Sequence, residues 1–171
     1  VLADRPSYTV RPEQWSLADY GSDVVRAPLR VVLDRRLRTP ADAPVVTAGG
    51  ECLIVGGEAH PHRQRALEAA GAEVIHLPSS GSGVDLQALL AELARRECNE
   101  ILVECGATLA GAFVREGLFD ELIVYLAPTL LGTDARGLLA LPFARMAEKV
   151  PLQWRDVRRV GHDLRVTLVP A

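Results

Sequence analysis

Long apolar runs, paired cysteines and any nucleophilic triad are all missing from this chain of 171 residues. No apolar stretch approaches the ~18 residues of a membrane span, and no basic n-region with an apolar h-region opens the chain, so no membrane partner is expected. The three cysteines, Cys52, Cys98 and Cys105, are odd in number and lack C-x-x-C spacing. That argues against a disulfide framework and for reduced thiols in a cytoplasm. A net charge of −3 argues against a general nucleic-acid surface, so no nucleic-acid partner is expected. No Ser-His-Asp set is evident. His60-Pro61-His62 lies near Cys52, yet no fourth ligand has zinc spacing, and no metal is expected. Internal repeats are absent, and only Ser79-Ser80-Gly81-Ser82-Gly83 has low complexity.

What is present is an alternation of strand and helix signals over a length that suits one domain with a substantial core. Leu29 to Leu33 is a β-rich run followed by a loop from Arg35 to Pro44. Cys52 to Val55 reads as a buried strand ending at Gly56-Gly57. Pro61 opens a helix running to about Ala70 and closed by Gly71. Val74 to Leu77 is the next strand, and the Ser/Gly stretch a surface connection. Leu86, Leu89, Leu90 and Leu93 mark one face of a helix that ends near Arg96. This rhythm predicts an α/β fold with a mostly parallel sheet flanked by helices. The end differs. Glu121 to Leu126 is a strand halted by Pro128, and Trp154 to Val160, Gly161-His162-Asp163 and Leu164 to Val169 form an antiparallel hairpin. Arg155, Arg158 and Arg159 give that hairpin a basic, solvated edge.

Residues Glu100 to Gly117 carry the most chemistry. Ile101-Leu102-Val103 is a short apolar run of buried-strand type that ends at a carboxylate, Glu104. Gly106 follows as a breaker, Thr108 can cap, and Leu109, Ala112 and Phe113 recur at helical spacing. Strand, glycine turn and helix N-terminus together present free backbone N–H groups to an anion. Small residues at Gly106, Ala107, Ala110, Gly111 and Ala112 would let a phosphate-bearing ligand approach the backbone, while Glu104 suits a second ligand with amino groups. The stretch is not a P-loop, because Ala112-Phe113 stands where Lys-Ser/Thr is required. Nor is it a dinucleotide fingerprint, because Thr108 occupies the middle glycine position. From these residues alone, a ligand site and a tightly packed strand-to-helix turn fit equally well.

Val103 to Phe113, VECGATLAGAF, resembles the VEGGPTLAGSF block of the bacterial riboflavin-biosynthesis pyrimidine reductases. Gly117 to Pro128 is similar to that family's GLVDELxLYxAP block, and Leu130 to Arg136 to its LLGGxAR. Pro28 to Asp34 and Leu37 to Pro40 resemble PLRVVLDxxLRTP, and Val1 to Arg11 resembles VLADDPxLTVR. Five blocks in order span nearly the whole chain. The resemblance implies a dihydrofolate-reductase-like fold and NADPH-dependent reduction of the ribosyl side chain of 5-amino-6-(5-phosphoribosylamino)uracil. In the family a strand, a helix and a second strand precede the first block, and this sequence has no room for them before Val1. Residues 1–171 are therefore expected to be a single reductase domain, the C-terminal part of a longer chain. A zinc deaminase often lies further upstream in the family; its H-x-E and P-C-x-x-C signatures do not occur here.

The resemblance also implies roles. Glu104 would bind the amino or ring N–H groups of the pyrimidine. Gly106, Ala107, Thr108, Leu109, Ala110, Gly111 and Ala112 would cradle the cofactor diphosphate. Asp4 would lie at the nicotinamide, so that Glu104 and Asp4 are the catalytic candidates, while Tyr8 and Arg11 face the substrate. Arg11 suits a sugar phosphate, whose oxyanions its planar fork can meet bidentately. Arg35, where relatives carry a small polar residue, could meet the 2′-phosphate or stand as a solvated loop arginine. Asp4 as a turn residue and Arg11 as a solvated charge are the plain alternatives. Arg5 for Asp is expected at the surface, Cys105 for Gly and Ala107 for Pro should keep the turn, and Thr129 replaces a frequent Lys. Asp134 and Arg136 suit a loop ion pair. A homodimer through the hairpin or its neighbouring strand is a further expectation. Two other functions remain: a non-catalytic dimerisation or interaction module of this fold, and a sister reductase acting on another pyrimidine or pterin.

Overall fold

A computed structural model describes residues 2, 4–10, 27–80 and 83–171. The chain forms two compact units, Val1–Arg95 and Arg96–Ala171.

The first unit is built on three parallel strands, β1 (Arg30–Leu33), β2 (Cys52–Gly56) and β3 (Glu73–His76), hydrogen-bonded in the order β1-β2-β3. All five residues of β2 are buried, as a central parallel strand covered on both faces must be. Cys52 and Ile54 join Val32, Leu37, Ala43, Val45, Val46, Leu67 and Ala72 in one core cluster, while Leu53 and Val55 alternate to the other face. Helix α1 (Pro44–Thr47) lies within the β1–β2 connection and α2 (Pro61–Ala69) within the β2–β3 connection; both carry proline in the first turn. Gly71 follows α2 at φ +98°, the left-handed stop its position predicts. Helix α3 (Leu86–Arg95) buries Leu86, Leu89 and Leu93, the predicted apolar face.

Two expectations change. The Ser/Gly connection is not wholly irregular: β4 (Ser79–Ser80) pairs antiparallel with β5 (Gly83–Val84). The run Ile101-Leu102-Val103 forms no strand, and these side chains are 43%, 77% and 42% exposed. Apolar composition alone does not hold a strand, which needs ladder partners, and among the described residues none pairs with this run.

In the second unit, α4 (Ala107–Arg115) buries Gly111, Phe113 and Val114. An antiparallel sheet follows, made of β6 (Leu122–Leu126), β7 (Leu152–Val160) and β8 (Asp163–Pro170) in the order β6-β8-β7. The hairpin β7–β8 turns at Gly161, φ +60°. Strand β7 forms an edge, shifts register between Trp154 and Asp156, and carries Arg155, paired with Glu121, and Arg158, 3.4 Å from Asp156. A bulge and charges on an edge strand oppose further strand addition.

Candidate active site

In the second unit the backbone leaves Glu104 and enters α4 through Gly106, the N-cap residue, whose φ of −77° and ψ of 166° are extended. The amides of Leu109 and Ala110 both donate to the Gly106 carbonyl at 3.1 Å. Gly106 has no side chain to accept a bond, so the N-cap residue itself caps neither of the earlier amides, those of Ala107 and Thr108. A Cβ built on Gly106 would meet nothing within 4 Å. Its backbone conformation does not require glycine either. Open space beside Gly106 at a helix N-terminus fits an oxyanion. Glu104 and Thr108 are exposed, Ala107, Leu109, Ala110 and Ala112 half-buried.

Gly111 does something else. A Cβ there would lie 2.9 Å from the Ala140 carbonyl carbon, 3.1 Å from its nitrogen and nearer still to its oxygen. The Ala140 amide donates to the Ala107 carbonyl at 2.9 Å. The small residue at 111 thus seats the 138–142 segment on α4. Cys105 sits between Glu104 and Gly106; desolvation pushes its thiol up, partly offset by a hydrogen bond from the Ala110 amide. It is therefore held as the thiol, not the thiolate a nucleophile requires.

In the first unit, Asp4 and Tyr8 are exposed on an irregular stretch, residues 4–10. Arg5 reaches Asp42 at 3.1 Å and also donates to its carbonyl at 3.3 Å, which puts the residue at the surface as expected. Arg11 lies outside the described residues.

Arg35 follows β1, at the carboxyl ends of the parallel strands, where ligands of open α/β sheets bind. Its Nε is 2.8 Å from Glu58 Oε1, and Glu58 Oε2 is 3.6 Å from Arg36 Nε and 3.5 Å from His60 Nε2. The Arg35 carbonyl accepts from the amides of Gly57 and Glu58 at 3.1 and 2.9 Å, joining the ends of β1 and β2. Asp34 Oδ2 accepts from Thr39 Oγ1 at 2.7 Å and from its amide at 2.5 Å, shaping the loop between. Glu58, which gathers three basic side chains, was not singled out from sequence; its sign opposite Arg35 and Arg36 was the available signal. Arg30, a buried charge at the start of β1, was not singled out either. It is the first residue of a strand whose other members are apolar, and a charge at that position was the only hint.

Against known proteins, the chain matches the family described as the RibD C-terminal domain over residues 1–166. It belongs to that family. The riboflavin biosynthesis protein RibD of Escherichia coli (strain K12) is 36% identical over 178 residues, covering 100% of this chain and 47% of that protein. A 5-amino-6-(5-phosphoribosylamino)uracil reductase of Buchnera aphidicola (subsp. Acyrthosiphon pisum) is 24% identical, covering 99% of this chain and 82% of that protein. Among solved structures, Acinetobacter baumannii RibD (form 2) superimposes with a TM-score of 0.80 at 34% identity, over 100% of this chain and 44% of that one. A Thermotoga maritima deaminase/reductase gives a TM-score of 0.71 at 18% identity, a likeness of fold alone. The RibD C-terminal fold is thus the α/β architecture anticipated from the five sequence blocks. The chain spans about half the length of the RibD relatives it matches.

Proposed function

We propose that residues 1–171 are one reductase domain that reduces 5-amino-6-(5-phosphoribosylamino)uracil to its ribitylamino product with NADPH. The observation that carries this is the N-terminus of α4, open at its glycine N-cap two residues beyond the exposed Glu104, within a RibD C-terminal family match. NADPH, when bound, would supply the hydride for C1′ of the imine or ring-opened sugar. The chain's own work is to bind, orient and exclude water. Ala107 and Thr108 donate backbone hydrogen bonds to the diphosphate, with Gly106 leaving room and Leu109 to Ala112 completing the helix turn. Glu104 accepts from the pyrimidine amino and ring N–H groups and fixes its orientation. Asp4 stands at the nicotinamide, Tyr8 and Arg11 at the substrate, and Arg35 supplies charge for the 2′-phosphate.

The assembly we propose is a homodimer in the cytoplasm, with a zinc deaminase fused upstream. Support for the dimer comes from the β6-β8-β7 sheet. Cross-strand register puts Leu122, Val124, Leu126, Leu164, Val166, Leu168, Trp154 and Val157 on one face. Of these, Trp154, Val157, Leu126 and Leu164 are exposed large apolar side chains, of the kind that marks an interface.

The test of the reaction is NADPH consumption by the full-length protein with the phosphoribosylaminouracil, beside a pterin and a pyrimidine lacking the ribosyl phosphate. Turnover with the first substrate alone is expected. Turnover only with the others moves the activity to a sister reductase. A folded protein that neither turns over nor binds NADPH is a non-catalytic module.

A further inference from the structure

The first residue of β1, Arg30, is only 4% exposed. Among the described residues its hydrogen-bond acceptors are four backbone carbonyls. Nη2 donates to Gly49 and, at 3.0 Å, to Gly50; Nε reaches Glu51 at 3.5 Å; and Nη1 reaches Ser7 at 3.4 Å. Three of these belong to the turn that leads into β2, and the fourth to the irregular 4–10 stretch. One planar fork therefore spans two separate pieces of chain, which a point charge on a flexible stem cannot reproduce.

The stretch it reaches is unusual. Arg5 has φ +43° and Tyr8 φ +50°, both left-handed for residues with a Cβ. Such conformations persist only where their surroundings over-determine them, and they cluster at ligand-binding segments. Each lies beside or on a tether. Arg5 itself pairs with Asp42, and Ser7, just before Tyr8, gives its carbonyl to Arg30. Both tethers end on the β1–β2 connection, Asp42 before α1 and Gly49-Gly50 after it. The Arg5–Asp42 pair is exposed, and pairs of that kind hold weakly. The Arg30–Ser7 bond is longer, 3.4 Å, but its guanidinium is buried and screened from water.

We infer that Arg30 is a positioning residue for the reductase site: through the Ser7 carbonyl it fixes the backbone of residues 4–10, and so presents Asp4 and Tyr8. This rests on the proposed role of that stretch at the cofactor and substrate. Arg30 works through backbone carbonyls. It acts by fixing in advance a segment that binding would otherwise have to order, so its loss is felt in substrate affinity before the chemical step.

The experiment uses the full-length protein, with Arg30→Met, which removes the charge at similar length, and Arg30→Lys, which keeps the charge but not the fork. Folding is checked by circular dichroism, and KM and kcat for the pyrimidine are measured with amide hydrogen exchange over residues 4–10. Arg30→Met should raise KM about tenfold with a smaller change in kcat, the worth of one charge-assisted bond. Exchange at Tyr8 and Thr9 should quicken while β2 keeps its protection. Should Arg30→Met fail to fold, Arg30→Lys carries the test, with the same signature expected in weaker form. A folded variant of either kind with wild-type KM and wild-type exchange over 4–10 would overturn the assignment while leaving the reductase reading intact. If the wild-type protein itself fails to turn over, that reading falls by itself, and the exchange measurement still decides the tether.

Discussion

Gly106 and Gly111 look alike in the sequence, two small residues in the turn proposed to cradle the cofactor, yet their surroundings differ. Space around Gly106 is open, whereas Gly111 faces the backbone of Ala140. Adding a methyl at 111 should force α4 and the 138–142 segment apart, and Gly111→Ala is expected to cost about 1–3 kcal/mol of stability in denaturant titration. Gly106→Ala replaces a tolerable N-cap by a poorer one and should cost less than about 1 kcal/mol. Equal losses at the two positions would contradict the assignment. The difference could not be read from the sequence, since it depends on a contact with a residue 29 positions away (140 − 111). Cys105 is a second case at this scale. With its thiol pushed up by desolvation, it should react with iodoacetamide at neutral pH more slowly than a free cysteine thiol, reaction rising only as the pH climbs toward the raised pKa. Faster alkylation than the free thiol would mean the turn stabilises a thiolate.

At the scale of elements, the strands and helices with their own stop signals were legible. The helix starting at Pro61 and ending before Gly71, and the hairpin turning at Gly161, agree with the sequence to within a residue or so because proline and glycine act locally. Ile101–Val103 shows the opposite case. Its apolar residues suit a buried strand, but a strand is a property of its neighbours, and no described residue supplies the ladder. The β6-β8-β7 sheet carries its own prediction. Trp154 is 72% exposed on the face shared with Leu168 and Leu122. Trp154→Glu with Val157→Glu places two charges in the proposed dimer interface and should shift the full-length protein to monomer in sedimentation, with the fold retained. A sedimentation profile that does not change would remove this face from the interface.

For the molecule as a whole, the family was legible because five sequence blocks keep their order along the chain, and the RibD C-terminal match covers residues 1–166. The proposed site was legible only in part. Glu104 and the α4 N-terminus stand out as candidates because a glycine turn after a carboxylate carries local chemistry. Arg30 and Glu58 do not, because their meaning lies in what the fold brings to them: carbonyls from two pieces of chain in one case, three basic side chains in the other. On the proposed function, Glu104 binds the pyrimidine and the α4 amides bind the cofactor diphosphate.

The measurement that tests it most directly compares Glu104→Ala with Gly106→Ala in the full-length protein, taking NADPH affinity and pyrimidine kinetics on each. Glu104→Ala should lower kcat/KM for the pyrimidine by about ten- to a hundredfold and leave NADPH affinity unchanged, the loss of a charged hydrogen-bond acceptor. Gly106→Ala should weaken NADPH binding in a folded protein. Both variants keeping wild-type turnover and wild-type NADPH affinity would contradict the assignment of this turn as the active site.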